Sequence, residues 1–410
     1  MSAASTSAAT QRTGAGLIAL LAACSALGVV MNNLLLPALP AIQRSFAEST
    51  AAVQATISSY LIAFAVAILL AGPLSDRVGR RPVLLGGMAV FIAGSLCCAL
   101  APTLTWLIVG RTVQALGAAA ALTIARAAAG DRFQGAALAH AFAIITMAMM
   151  VGTTLAPALG GYLVQWRGWR SGFWLMMVVA TLVAASTFLL LPESRRTDFA
   201  SDSIGALWRA TGRLLAERLF AGFALQVALI YATYLTFVAV APYIMVRSFG
   251  QREVDYGLYF MLLAAGYFAG NLYVATLGKR VDARRLMFVG ISLQFAGSLL
   301  GVTLALAGQW NALALFLPQV PVAFGQGLAL PHLTSRAVQL APQYPGIASS
   351  LLGFAQQAAA GLTVQLMGLA STATPVPITA FCCAASLIAF VALIALTRSP
   401  GTVSASPQPR

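Results

Sequence analysis

Proton chemistry in this chain of 410 residues has little to draw on: ten acidic residues and two histidines. One acid and three arginines gather in one stretch, AGPLSDRVGRRP at 71–82, which sets Asp76, Arg77, Arg80 and Arg81 between long apolar runs. An acid and arginines so spaced can pair with one another or with a helix terminus, in contacts that are made in one arrangement and released in another. Gly72 and Gly79 flank them, the first suited to close helix approach and the second to a tight turn. A second constellation is Arg111 with Gln114, one helical turn apart on the same face. Further amides and phenols punctuate otherwise apolar runs: Asn33 after Asn32, Gln226, Tyr231, Tyr234, Asn271, Gln326, Gln356 and Gln357. Such groups can hydrogen-bond a solute, although many polar residues in apolar helices only bridge to a neighbour. No zinc-ligand spacing, phosphate loop, or nucleophile with a plausible base is present, so the pattern is not that of an enzyme and implies neither metal nor cofactor.

The elements that must position these residues follow from composition. Hydrophobic residues make up 60% of the chain and charged residues 8%, with a mean hydropathy of +0.87. Soluble domains are roughly a quarter charged, so this is an integral membrane protein. A helical span needs about 20 mostly apolar residues to cross a hydrocarbon core about 30 Å thick. Breaking the chain at charges, Pro and Gly predicts twelve spans: 15–37, 53–74, 82–101, 105–128, 136–164, 173–191, 219–247, 256–277, 286–307, 311–332, 347–370 and 378–397. The runs are too long and too evenly apolar for barrel strands, and helices satisfy their own backbone in lipid, so the fold is expected to be all-α. The first run exceeds a signal-peptide core in length and is read as a retained helix. Cys24, Cys97, Cys98, Cys382 and Cys383 all fall within spans and read as small core residues.

Orientation comes from the basic residues. With both termini cytoplasmic, 18 of the 24 Lys and Arg residues fall inside, five outside, and Arg111 within a span. Topology and contact with anionic lipid thereby account for the net charge of +14, without nucleic acid as a partner. In the competing reading, Arg111 lies just below the outer interface and snorkels to it. Otherwise a charge at that depth costs about 2.5–3.5 kcal/mol, and Arg111 is expected to face a wet cavity or a polar partner.

The longest polar interval, 192–218, divides the chain into an N-terminal six-helix bundle at 1–191 and a C-terminal one at 219–397, with a tail at 398–410. Weak internal symmetry supports the division. Gly72 and Gly278, and likewise Asp76 and Asp282, are offset by 206 positions, and Pro37 and Pro242 by 205. Two homologous halves related by an axis along the membrane normal are the mark of a transporter that rocks about a central site.

GPLSDRVGRRP resembles the signature between spans 2 and 3 of the major facilitator superfamily, G-x-L-[SA]-D-R-x-G-R-[RK]. LIVGRTVQALGAAAA, with Arg111, Gln114 and Gly117, is similar to that superfamily's span 4 motif, and APALGG at 156–161 to the span 5 motif of its exporters. LLLPALP at 34–40, RAAAGD at 126–131, WRSGFW at 169–174 and GIASSLLGFAQQ at 346–357 resemble, more narrowly, the bicyclomycin-resistance branch of the drug:proton antiporters. The resemblance implies twelve helices in two bundles, multidrug efflux across the cell inner membrane by alternating access, and a monomer exchanging a small organic molecule for protons. It casts Arg111 as the residue coupling proton to substrate, with Gln114 beside it. Asp76 and the arginines become a gate that meets the start of span 11 near Gly346 when the protein faces outward, with Asp282 at the matching turn. Gly152, Pro157, Gly160 and Gly161 become the export motif of span 5, though ordinary helix packing requires small residues there as well. Plain topological anchoring explains Arg80 and Arg81 but not an acid.

One departure bears on coupling. The related family has an Asp four residues before the first Pro of its span 1 motif, and here that position is Asn33, whose amide carries no proton. None of the ten acids falls in the middle of a span. His332, after Pro331, and His140 are the remaining proton carriers to consider, although both sit near helix ends where a solvated histidine is common. The expected function is therefore export of a drug, antibiotic or metabolite such as a siderophore. A facilitator or uptake carrier without proton coupling is the alternative within transport, and a membrane scaffold or receptor the alternative outside it. With Arg111 inside and no fixed acid, neutral, zwitterionic or anionic substrates are favoured over cations.

Overall fold

The computed structural model describes residues 2–191, 204–278, 281–370 and 374–398, and among them there is no strand. Twelve helices are long and apolar enough to cross a membrane. They are α1 (Gly16–Phe46), α2 (Thr50–Val78), α3 (Arg80–Ala99), α4 (Leu104–Arg132), α5 (His140–Arg167), α6 (Arg170–Leu190), α7 (Arg218–Ser248), α8 (Glu253–Leu277), α9 (Ala283–Leu306), α10 (Ala312–Gln339), α11 (Pro345–Leu369) and α12 (Val376–Leu396). Each lies within a few residues of its expected position, with two extensions. α1 runs on past Pro37 through a 3-10 turn at Leu36–Ala38, because Pro40 then opens a further helix, Leu39–Phe46, where a missing N–H costs nothing. α10 contains Pro331 and continues to Gln339. In the interval between the bundles, 192–203 lies outside the described residues and a helix occupies Ile204–Ala216. The tail beyond Arg398 also lies outside them.

Helix entry is capped where the turns leave water-facing amides: the side chains of Ser49, Thr103 and Asn311 accept from the backbone N–H groups of Ala52, Trp106 and Ala314. Large apolar side chains face outward along the spans, among them Leu182, Leu189 and Leu369 at 64, 77 and 72% exposure. A surface so uniformly apolar is at equilibrium only against lipid.

The two halves share one packing order. α3 packs on α4, α2 on α4, α1 on α5 and α3 on α6, and the same pairs recur in the second half as α9 on α10, α8 on α10, α7 on α11 and α9 on α12. Between the halves two seams dominate, α2 with α11 and α5 with α8, which the same two-fold relation exchanges. The structure thus displays in three dimensions the repeat that the offsets near 206 suggested. Because successive helices alternate in direction, the starts of α1 and α7 and the end of α12 lie at one end of the molecule, here the terminus end. Phe46, Arg167 and Glu253 lie at the other, the distal end.

Candidate functional site: a neutral cavity between the two halves

A cavity of about 1030 Å³ lies between the halves, walled by α1, α5, α7, α8, α10 and α11. Its polar groups are few: Asn33 on α1, Thr146, Thr153 and Thr154 on α5, Tyr231 and Tyr234 on α7, Tyr267 on α8, Gln326 on α10 and Gln356 on α11. The remainder is apolar and soft, including Phe142, Met147 and Met150 on α5 and Phe260, Met261 and Phe268 on α8. Among the described residues no acidic, basic or histidine side chain lines it. The Tyr231 and Tyr234 rings are 6.3 Å apart and tilted by 45°, which presents both a ring face and a ring edge to an occupant.

Asn33 is the most pointed of these polar groups. Its Nδ2 donates to the Val29 carbonyl 2.9 Å away, one turn earlier on the same helix. Its Oδ1 is buried without a hydrogen-bond partner, and the residue is only 4% exposed. A buried orphan acceptor costs about 1–3 kcal/mol unless something donates to it, and the cavity is where a donor can arrive.

Arg111 and Gln114, expected in the cavity, are placed elsewhere. Both are fully buried within the first half and line no part of the cavity. The Arg111 guanidinium donates to Gln114 Oε1 at 2.6 Å, to Asn32 Oδ1 at 3.0 Å and to the Thr56 carbonyl at 3.4 Å, and it lies 3.9 Å from the centre of the Tyr60 ring. Gln114 passes the network on to Ser95 Oγ at 2.7 Å, and the Tyr60 hydroxyl donates to the Gly28 carbonyl at 2.9 Å. The cation is therefore held by neutral dipoles and a π face, with no carboxylate among its hydrogen-bond acceptors, and it ties α1, α2, α3 and α4 together. The adjacent amides Asn32 and Asn33 divide the work, since neighbouring positions on a helix point about 100° apart: one serves Arg111, the other the cavity. Snorkelling is excluded by the same burial.

Three other expectations shift likewise. Gln226 is buried and donates to the Ala389 carbonyl at 2.7 Å, joining α7 to α12. Asn271 donates to the Tyr267 carbonyl at 2.9 Å one turn beyond the wall. His332 is half-buried behind Leu330, which lines the cavity while the histidine does not. Its Nε2 is buried without a hydrogen-bond partner. His140 is exposed at the start of α5. In contrast, Asn33, Tyr231, Tyr234, Gln326 and Gln356 are brought together on the wall from four helices. The residues that sequence reasoning passed over are Tyr267 and the α5 set Thr146, Met150, Thr153 and Thr154. Their spacing by three and four follows one helix face, but nothing in a uniformly apolar span says which face looks inward.

The two ends of the molecule differ. At the distal end the halves are fastened. Arg44 pairs with Glu253 at 2.6 Å, Gln54 donates to the Ala239 carbonyl at 2.9 Å, and Ser58 donates to Gln365 Oε1 at 2.6 Å, while Gln365 donates to the Ala51 carbonyl at 3.1 Å. The export-motif residues take part: α5 approaches α8 so closely that a Cβ on Gly161 would stand 2.6 Å from the Glu253 carbonyl oxygen. Gly152 and Gly160 face α1 instead, at Val30 and Leu34, and Pro157 lies within the helix, its carbonyl carbon close to Gly257.

At the terminus end the contacts of the charged turn among the described residues lie within its own half. Arg80 pairs with Asp76 at 2.5 Å and with Asp131 at 3.0 Å, joining the ends of α2 and α4. Arg81 donates to the Phe188 carbonyl at 2.5 Å and lies over that ring at 5.2 Å, joining α3 to α6. Gly79 carries the turn at φ 114°, which an L side chain rarely adopts. Arg77 and Asp282 are exposed. Space around Gly72 and Gly346 is open to 4 Å, so Gly72 makes no close helix approach in this conformation and Asp76 does not reach α11. The cavity wall on α5 begins at Phe142, two turns into a helix that starts at Gly135 at that same end.

A family model described as Major Facilitator Superfamily matches residues 18–364. The chain belongs to that superfamily. It is 27% identical over 353 residues to multidrug resistance protein D of Escherichia coli strain K12, covering 86% of this chain and 88% of that one. It is 27% identical over 365 residues to multidrug resistance protein MdtL of Klebsiella pneumoniae, covering 89 and 91%. An uncharacterised transporter of the same type, YdgK of Bacillus subtilis, is 26% identical over 385 residues, covering 92 and 94%. Among solved structures, a D-xylose–proton symporter superposes with a TM-score of 0.73 at 15% identity, covering 92% of this chain and 96% of that one. A bacterial homologue of the human lysosomal transporter Spinster, solved inward-facing and unoccupied, gives 0.70 at 17%, covering 94% of each. At these identities the solved structures establish the fold, and this superfamily member is a transporter of small molecules by its family.

Proposed function

We propose that this transporter exports an uncharged small organic molecule across the bacterial inner membrane by alternating access. The supporting observation is the cavity itself. It is large enough for a drug-sized solute, lined with aromatic, methionine and hydroxyl groups, and without a fixed charge on the described wall. The positive-inside bias of the sequence, 18 basic residues against five, supports a cytoplasmic terminus end. The conformation is then inward-facing, closed on the outside by Arg44–Glu253 and the α2–α11 hydrogen bonds, and ready to take solute from within. The multidrug-resistance relatives at 27% identity support export over import, and the export motif on α5 supplies the close contact with α8 that seals the outer side.

The same cavity favours a second reading of the energetics. A carboxylate that exchanges a proton for substrate has no place on the described wall, and Arg111 is sealed in the first half. A facilitator that equilibrates its substrate without proton coupling follows. The test is efflux from proteoliposomes of known orientation, with and without an imposed pH gradient, on wild type and Asp76→Asn. Flux that follows the gradient and collapses in Asp76→Asn supports antiport through the charged turn. Flux indifferent to the gradient makes the protein a facilitator, and no flux of any uncharged probe overturns the proposal.

A further inference from the structure

We propose that the seam between α5 and α8 is a lateral portal, through which an uncharged solute dissolved in the membrane enters the cavity near the middle of the bilayer. The inference rests on the reading of the cavity as the site of an uncharged solute. At the distal end the two helices touch through their backbones, a Cβ on Gly257 being 2.6 Å from the Ala158 amide nitrogen. Toward the terminus end they part, and the cavity takes its wall from both sides of the gap: Met147, Val151 and Leu155 on α5, and Met261, Ala265 and Phe268 on α8.

These six do not belong to the interior faces alone. Leu155, Tyr162 and Trp166 follow one another at seven and four residues, a single stripe on a helix. Tyr162 and Trp166 are 58 and 64% exposed, which marks that stripe as the outer surface. Val151 and Leu155 are themselves 53 and 51% exposed and yet line the cavity, so its wall wraps from the inner face of α5 onto the outer one. On α8 the stripe Leu258, Met261, Ala265, Phe268, Leu272 behaves alike: its two ends are exposed outside the cavity and its three middle members line it. A cavity that includes the outer stripes of two neighbouring helices is open between them.

The matching seam on the opposite side is shut at the same depth, and space opens there only toward the terminus end, around Gly72 and Gly346. There Gly353, Gly361 and Gly368 of α11 meet Ile68, Ile62 and Gln54 of α2 in succession, with Cβ positions 3.7, 2.9 and 3.0 Å away. The asymmetry confines the opening to α5 and α8. At 1.5 Å per residue, Met147 to Leu155 lie roughly 18–30 Å along a helix of about 50 Å that begins at Gly135, close to the middle of the membrane. The rim offers no hydrogen bond, so an ion or headgroup passing it would shed water with nothing in return, whereas an uncharged apolar solute exchanges one apolar contact for another.

The probe is Nile red, an uncharged dye that dissolves in lipid, with full-length protein in phosphatidylcholine nanodiscs and empty nanodiscs as the blank. Association is followed by stopped-flow fluorescence and affinity by titration. Leu258→Trp and Leu272→Trp, which crowd the rim from the lipid-facing α8 stripe outside the cavity, are expected to slow association roughly fivefold with little change in Kd, because a gate alters both rates together. Phe268→Ala, which widens it, is expected to speed association roughly twofold. Rates unchanged in all three, with Tyr234→Ala weakening Kd, overturn the portal and leave the cavity reading intact, the dye arriving by the aqueous mouth. A phospholipid retained at the rim and competing with the dye also overturns it, making the seam a lipid-binding groove. Absence of dye binding by wild type removes the cavity reading and the portal with it.

Discussion

Arg111 is a cation that the protein keeps without giving it an anion. Three acceptors and the Tyr60 ring surround it at full burial, so the guanidinium is solvated by the fold in place of water. Removing it strands those acceptors. Arg111→Ala is expected to lower unfolding stability by about 3–5 kcal/mol, measured by thermal unfolding in detergent, whereas Tyr60→Phe, which keeps the ring and loses one hydrogen bond, costs about 1 kcal/mol. Equal shifts for the two would remove the hub role. Asn33 is the opposite case, an amide on the cavity wall whose buried oxygen has no hydrogen-bond partner. Asn33→Asp introduces the one negative charge on the described wall. It is expected to give the protein affinity for the cation ethidium that wild type lacks, read by fluorescence polarisation and abolished on acidification. Ethidium binding as tight in wild type as in the variant would show that the tyrosine faces alone hold cations.

At the scale of helices, the seams carry the mechanism. α5 meets α8 through Gly161 and Gly257 at the distal end, where any side chain would push against backbone. Gly161→Val is therefore expected to block distal closure while the protein still folds. Transport should fall at least about tenfold, and cysteines placed at the distal mouth should become more reactive toward a membrane-impermeant maleimide. Arg44→Glu acts on the same seam by repulsion from Glu253, and the same increase in reactivity is expected, smaller because Arg44 is 55% exposed and water screens the pair. Unchanged labelling in both variants would mean that the α2–α11 hydrogen bonds alone hold the distal end shut.

For the whole molecule, the twelve spans were legible in the chain, because they depend on length and hydropathy. The charged turn was legible as a turn, since polar residues between apolar runs announce themselves: Gly79 does take a positive φ, and Arg80 does pair with Asp76. A pH gradient across proteoliposomes belongs to this scale, and indifference of flux to it is the outcome expected from a wall without a described carboxylate, histidine or basic side chain.

The sequence by itself determined the membrane, the helices, the family and the absence of a carboxylate at Asn33, for those are properties of residues taken in order. Tertiary structure alone decided which polar residues face solute. Arg111, Gln114 and Gln226 are as polar as Asn33 and sit in spans as apolar, yet they are consumed by neighbours on other helices. A polar group in a buried helix goes either to a partner or to a cavity. Which one it finds depends on the rotation of that helix against others hundreds of residues away, and a span apolar all round leaves that rotation unwritten.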